Sequence, residues 1–385
     1  MQQAPQEFKP KIDYDDSLIS IACSIMKYFE LNPLHKSHPY IDELFSQKQP
    51  ENVILLLCDG FGSRVIDKVL NKDDFLIKNR KKEIFSVFPP TTSANLSAIK
   101  LGLNPSEHGW IGWSCYIPPI NKIINLYKDT EKGKTDKDED FEKIKDKYFY
   151  NKKTIVEMIN EKGKHNAFEL NCYPYNVERN IDKVFEKILD TLKVKTNSKK
   201  YIFSYYPEPD DILHALGIES QEAIDEIKKI NLKVEKYSEL ILKHEKTMLI
   251  IVADHGHLIG DKIKIQNYEM YNYLREKKVY IENRSPNFLV KKGFETNFIQ
   301  AFNKDFGNDF FLLSKKEILE KKIFGEYALN NEHELFEDSL GDFMAISKGN
   351  SNKVLLSDTD PDKNTSYHGG YHDDEIYIPL IVINN

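Results

Sequence analysis

The chain has 385 residues, 40% hydrophobic and 30% charged, a balance that argues against general disorder and suits one large soluble core carrying insertions or a cap. Its formal charge of −7, from 54 basic and 61 acidic residues, speaks against an extended nucleic-acid groove and leaves room for a small phosphorylated substrate. No window reaches the ~18 apolar residues of a membrane span and no signal-like stretch opens the chain, so we expect a cytoplasmic protein. Cys23, Cys58, Cys115 and Cys172 contain no CxxC pair, which points to reduced thiols rather than a disulfide framework or a thiolate metal site.

In chain order, VILLLC (53–58) is a continuous apolar run ending at Asp59-Gly60 and reads as a buried, parallel-type strand. IFSVF (84–88) is a second strand, leading through Pro89-Pro90 into SANLSAIKLGL, a helix pattern starting near Ser93. The prolines restrict their own φ and push each preceding residue towards extended geometry, so this turn is stiff. Residues 121–154 are strongly charged and read as a surface excursion. HNAFEL (165–170), YIFSYY (201–206), MLIIVA (248–253) and YIPLIVI (377–383) are further strands. Residues 219–244 form the clearest helix, with apolar positions at three- and four-residue spacing. Strands alternating with helices imply an α/β layered fold with a central, mainly parallel sheet flanked by helices. Buried-strand patterns thin out over 266–349, so we expect a small inserted cap there, between core pieces 1–265 and 350–385.

Ligands of open α/β sheets collect at the carboxyl ends of the strands. Asp59 follows VILLLC, Asp210 and His214 follow YIFSYY, Asp254-His255 follow MLIIVA, and His368 and His372 precede the last strand. A single strand-end aspartate is ordinarily a turn former or cap, and a His-Gly such as His108-Gly109 is ordinarily turn chemistry. Recurring together, these residues supply enough oxygen and nitrogen donors for two divalent ions, most naturally zinc, with manganese or iron as alternatives. Magnesium or calcium sites would not recruit so many imidazoles. A hydroxyl beside such an ion becomes a nucleophile near neutral pH, which makes Thr91 and Thr92 candidates. The helix after them would aim backbone N–H groups at a phosphate, although a plain N-cap is the rival reading.

The segments VILLLCDGFG, FPPTTSANLSAIKLGLNPSEHG, YYPEPDDILHALG, IVADHGH and YHGGYHDDEIYIPLIV resemble, in order and content, the alkaline phosphatase superfamily and its type I phosphodiesterase/nucleotide pyrophosphatase branch. The resemblance runs from about residue 53 to the C-terminus. It implies an alkaline-phosphatase-like layered fold and a metal-dependent hydrolase that cleaves a small phosphodiester or pyrophosphate, with a nucleotide among the candidates. It makes Thr92 the nucleophile, through a phospho-threonine intermediate, since the family pattern F/Y-P-x-x-T ends there. It gives Asp210, His214 and His368 to one ion, and Asp59, Asp254 and His255, with Thr92, to the other. Asn95 would help hold a non-bridging phosphoryl oxygen, while His257 and His372 receive no role.

Departures from the family pattern include Thr92-Ser93-Ala94-Asn95-Leu96 in place of T-x-P-N-H, and Leu101-Gly102 in place of T-G. No arginine lies near Thr92 in sequence, and the neutral Asn95 suits the single charge of a diester. Arg64, Arg80, Arg179, Arg275 and Arg284 remain candidates through space. A phosphonate hydrolase or phosphomonoesterase of the same superfamily is the alternative, and an inactive metal-stabilised binding protein a third reading. Trp110, Trp113, Tyr116 and Tyr206 either stack on a base or belong to the core.

Overall fold

The computed structural model describes residues 7–172, 177–196, 198–244, 246–328, 330–360 and 363–385. Apolar runs such as NVILLLC and TMLIIVA favour strands whose two faces are both covered, and they lie at the centre of a six-stranded main sheet. Its order is Arg80–Phe85, Tyr377–Asn384, Thr247–Ala253, Asn52–Cys58, Lys200–Tyr206, Asn166–Glu169. Only Tyr377–Asn384 runs against the others, pairing antiparallel with both of its neighbours. The three central strands share one register: Asn52 lies opposite Lys200 and Thr247, and Cys58 opposite Tyr206 and Ala253. These strands therefore end in line, and the residues that follow them emerge along one edge.

Helices close both faces of the sheet. In Gln221–Ile241 the Ser220 side chain accepts from Ala223 N, and Ala223, Ile227, Ile230, Val234, Tyr237 and Ile241 are buried at alternating four- and three-residue spacing. With Ile21 and Ile25 of Leu18–Tyr28 and Phe185 and Ile188 of Ile181–Lys193, they share one core with the strand residues Val53 to Cys58, Tyr201 to Phe203 and Met248 to Ala253.

The strand expected over IFSVF ends at Phe85, before the apolar run does. Beyond it, the Val87 N–H is taken by Asn95 Oδ1, and the chain turns through Pro89-Pro90 instead of continuing the ladder. A second sheet of seven strands runs Phe310–Ser314, Phe343–Ser347, Ser285–Phe288, Tyr280–Glu282, Ser114–Ile117, Lys122–Asn125, Thr130–Glu131. The segment expected as a surface excursion thus donates strands to the sheet that the 266–349 stretch builds. Asp129, Lys132 and Asp138 of this segment are buried, and Ile124, Leu126 and Phe141 join Trp110, Cys115, Tyr280 and Met344 in a separate core. Among the described residues no two cysteines are joined in a disulfide, and no helix is long and apolar enough to cross a membrane.

Candidate metal centre

The aligned strand ends bring the acidic residues together. Asp59 and Asp254 leave neighbouring strands, and Asp254 Oδ1 accepts from Gly60 N and from His255 N, each at 3.0 Å. Gly60 sits at φ +68, a conformation that suits glycine, and a Cβ there would meet Asp210 Cα at 3.0 Å. The turn after Phe85 delivers Thr92 as the first residue of the helix Thr92–Leu101. Thr91 holds the N-cap position, yet its hydroxyl caps nothing. Cis peptide bonds at Phe88-Pro89 and Glu208-Pro209 lie in the turns that lead to Thr92 and Asp210.

Thr92 Oγ lies 3.4 Å from each oxygen of Asp59 and 3.3 Å from His255 Nε2. His255 Nε2 is in turn 3.4 Å from Asp59 Oδ1 and 3.4 Å from Asp254 Oδ2. The second group is Asp210, His214, His257 and His368, each of which offers one donor atom within 4.8 Å of the others. His214 Nε2 is 3.1 Å from His368 Nε2 and 3.6 Å from Asp210 Oδ1. The two groups adjoin, since the His255 and His368 rings stack with centroids 3.8 Å apart and His255 Nε2 lies 4.0 Å from Asp210 Oδ1.

Backbone carbonyls set the ring tautomers. His214 Nδ1 faces Ser366 O, His368 Nδ1 faces Pro90 O and His255 Nδ1 faces Gly256 O, at 2.9, 2.9 and 3.2 Å. A carbonyl only accepts, so each Nδ1 carries the hydrogen and each Nε2 turns its lone pair inwards, as a metal-binding imidazole requires.

The charges also call for a cation. Asp254 is fully buried, and its Oδ2 has no hydrogen-bond partner. Burial, with Asp254 and Asp210 adding to it, pushes the Asp59 carboxyl well above the usual range. Burial and the neighbouring imidazoles push His368 well down, towards its neutral form. Among the described residues these three carboxylates form ion pairs with histidines alone. Three acids, Asp59 and Asp254 buried and Asp210 half-buried, with inward imidazole lone pairs and no lysine or arginine fit divalent ions of borderline character.

Asn95 does not fit the part expected of it. Its Oδ1 accepts from Val87 N, and its two amide hydrogens go to Pro89 O and Thr91 O, so no N–H remains for a phosphoryl oxygen. It holds the turn that carries Thr92. His372 caps the short helix Asp373–Ile376 by accepting from Asp374 N. Arg64 pairs with Glu83, Arg80 with Asp67, Arg179 with Glu208 and Asp211, and Arg284 with Glu375, while Arg275 lies near Tyr280. Trp110 and Tyr206 are core residues, at 3% and 0% exposure.

One residue that sequence reasoning missed also borders the centre. Glu282 ends a strand of the second sheet, after Ile281, whose φ of +72 is an outlier for a β-branched residue. Its Oε1 accepts from Trp113 N at 2.9 Å, and its side chain fills the space beside Gly369, where a Cβ would meet it at 2.6 Å. Burial pushes its pKa up to about 7, opposed by Thr91, Trp113 and Lys132. Trp113 is half-buried, edge-on to Tyr127, with Lys128 Nζ 5.6 Å from its ring centre.

A family model for type I phosphodiesterase / nucleotide pyrophosphatase matches residues 53–347, which contain every one of these groups except the His368 turn. The chain belongs to this family. As a member, it is a hydrolase of the phosphodiesterase and nucleotide pyrophosphatase type. Among solved structures, murine ectonucleotide pyrophosphatase / phosphodiesterase 5 superposes with a TM-score of 0.65 at 18% identity, covering 86% of this chain and 88% of that one. An inactive threonine-to-alanine form of the murine protein in complex with AMP gives 0.65 at 18%, covering 85% and 87%. The human counterpart gives 0.65 at 16%, covering 86% and 87%. At these identities the likeness speaks for the fold, a mixed α/β architecture of the alkaline phosphatase kind. No curated protein matches the sequence.

Proposed function

We propose that the protein hydrolyses a small phosphodiester or pyrophosphate of nucleotide type at a two-metal centre, with Thr92 as nucleophile. The observation that carries this reading is the Thr92 hydroxyl, which lies 3.4 Å from Asp59 and 3.3 Å from His255 Nε2 at the start of its helix. Asp59, Asp254 and His255, with Thr92, would hold one ion, and Asp210, His214 and His368 the other; zinc suits this mixture of imidazole and carboxylate. When bound, such ions lower the proton affinity of a neighbouring hydroxyl and offset charge on phosphoryl oxygens.

The residues of the chain do the rest. Tyr205 donates its hydroxyl to Asp59 Oδ2 and fixes that carboxylate. The first N–H groups of Thr92–Leu101 have no intrahelical partner and, with the helix dipole, favour an anionic phosphoryl group in front of Thr92. Thr92 gives up its hydroxyl proton to solvent and its Oγ forms a bond to phosphorus as the bond to the leaving oxygen breaks, that oxygen departing with the rest of the substrate and taking a proton from water. Water then cleaves the phospho-threonine and restores the hydroxyl.

Preference for a diester draws its support from Glu282 rather than from Asn95. Above about pH 7 the ionised Glu282, beside Thr91, opposes the second negative charge of a phosphomonoester, and Arg64, Arg80, Arg179 and Arg284 are paired elsewhere. The half-buried Trp113, bonded to Glu282 through its backbone, offers a ring on which a base can stack. The murine relative described above, inactive as a threonine-to-alanine form and complexed with AMP, supports both the nucleophile and a nucleotide substrate. The test is turnover by zinc-loaded protein of a chromogenic diester, the matching monoester and a phosphonate monoester, alongside Thr92→Ala. Diester turnover should exceed the others and fall by at least ~10³-fold in Thr92→Ala. Faster turnover of the monoester or the phosphonate would overturn the substrate class, and an active Thr92→Ala would overturn the nucleophile.

A further inference from the structure

Glu282 comes from the second sheet, yet its side chain is delivered to the edge of the metal centre. Ile281 before it holds a φ of +72, which turns the chain where the strand Tyr280–Glu282 ends. Gly112 admits that turn, since a Cβ there would meet Ile281 Cα at 2.7 Å. An outlier of this kind persists only where its surroundings enforce it, and such residues cluster where a side chain is held ready for a ligand. The Glu282 side chain lies against Gly369, next to His368, with the Thr91 hydroxyl beside its carboxyl. The two oxygens of that carboxyl differ. Oε1 accepts from Trp113 N at 2.9 Å, whereas Oε2 makes no hydrogen bond among the described residues. The buried Thr91 hydroxyl has no partner either, so it stands outside bonding geometry. Lys132, whose charge reaches Glu282, has its Nζ on Asp360 at 2.8 Å. Glu282 is half-buried, and an acceptor left unpaired in a partly desolvated wall favours a ligand that brings a donor.

Thr91 and Gly369 each adjoin a residue of the centre, Thr92 and His368, so a carboxyl between them stands beside the phosphoryl position. From there it reaches the group joined to phosphorus rather than the far end of the substrate. In a nucleotide that group is the sugar, whose hydroxyls are donors. The base lies farther out, towards the Trp113 ring, which is tied to Glu282 through its own backbone N–H. We infer that Glu282 determines specificity for the sugar: its Oε2 accepts a hydrogen bond from a ribose hydroxyl, so esters of dideoxynucleotides are poorer substrates than those of ribonucleotides. This rests on the nucleotide reading above. A sugar without hydroxyls covers Oε2 and leaves it unpaired, which is how a site built to take a hydroxyl rejects the analogue lacking it.

The test compares the nitrophenyl esters of AMP and of dideoxy-AMP as substrates of the zinc-loaded protein. A hydrogen bond to a carboxylate is worth about 10- to 150-fold, and wild type should prefer the ribose ester by such a factor in kcat/KM. Glu282→Ala should bring the two esters within about threefold of each other. If that variant fails to fold, Glu282→Gln decides, because its amide oxygen accepts without charge and should keep a preference of only about two- to tenfold. Calorimetry on Thr92→Ala should show AMP binding more tightly than dideoxy-AMP by the wild-type factor. Equal turnover of the two esters by wild type, equal affinities in calorimetry, or a preference undiminished in the Glu282 variants overturns the inference and leaves the nucleotide hydrolase standing. Turnover of bis-nitrophenyl phosphate but of neither nucleotide ester overturns the nucleotide reading as well.

Discussion

Arg284 and Glu375 are both fully buried, and breaking their ion pair should destabilise the protein strongly. Arg284 Nε and Nη2 each donate to Glu375 at 2.7 Å, while Nη1 and Nη2 also reach Lys353 O and Ser351 O, each at 2.9 Å. The carboxylate further accepts from Gly370 N at 2.8 Å and His372 N at 3.2 Å, so one ion pair ties the second sheet to the turn after His368. Glu375→Gln leaves a guanidinium in the interior with only carbonyls and a hydroxyl around it, which costs ~3–5 kcal/mol. Arg284→Met leaves a buried carboxylate that still accepts two backbone N–H groups, so its cost falls near the lower end, ~3 kcal/mol. The single changes together would cost ~6–8 kcal/mol if they were independent. The double variant removes both charges and loses only neutral hydrogen bonds, at ~1 kcal/mol for each of three or four, which leaves a coupling of ~3 kcal/mol. Urea denaturation of the metal-free single and double variants, followed by circular dichroism, measures this cycle. Single changes costing under ~1 kcal/mol, or costs that simply add, would refute the reasoning.

Leu55, fully buried at the centre of the main sheet, should cost ~2–5 kcal/mol as Leu55→Ala in the same denaturation assay, and a cost below ~1 kcal/mol would mean that the sheet is not closed on both faces. Glu282 has a folded-state pKa of about 7 against an ordinary 4.5, so its stabilising contribution is present below 4.5 and lost as pH rises through about 7. Because the side chain keeps some solvent contact, we expect Glu282→Gln to stabilise metal-free protein by ~2 kcal/mol at pH 8 and by nothing at pH 4; an equal effect at both would contradict the assignment. Stripping metal with a chelator should lower the melting temperature, and zinc at ~100 times its dissociation constant should restore ~2.7 kcal/mol. A melting curve indifferent to zinc would refute a centre whose buried acids need cations.

Much of the site was readable because strand ends are readable. Asp59 and Asp254 each follow an apolar run, which marked them as strand-end residues; that Cys58 and Ala253 are direct neighbours in the sheet is what the structure adds. The helix and the turn before Thr92 were legible from periodicity and the two prolines. The second sheet was not, since the hairpin that carries the excursion meets the 266–349 stretch at one paired position, Ser114 with Ile281, far apart in sequence and with no periodic signal at either end. Asn95 misled because its donors satisfy carbonyls of its own turn, a local economy that spacing does not reveal. Glu282 gave no motif at all, and the only signal that marks it is the backbone outlier at Ile281.

The central claim is that Thr92 attacks phosphorus. Acid-quenching zinc-loaded protein during turnover of a phosphodiester and mapping its peptides by mass spectrometry tests this directly. The account predicts a phosphoryl adduct on Thr92, absent from Thr92→Ala. An adduct on any other side chain, or steady turnover with Thr92 unmodified throughout, would contradict it.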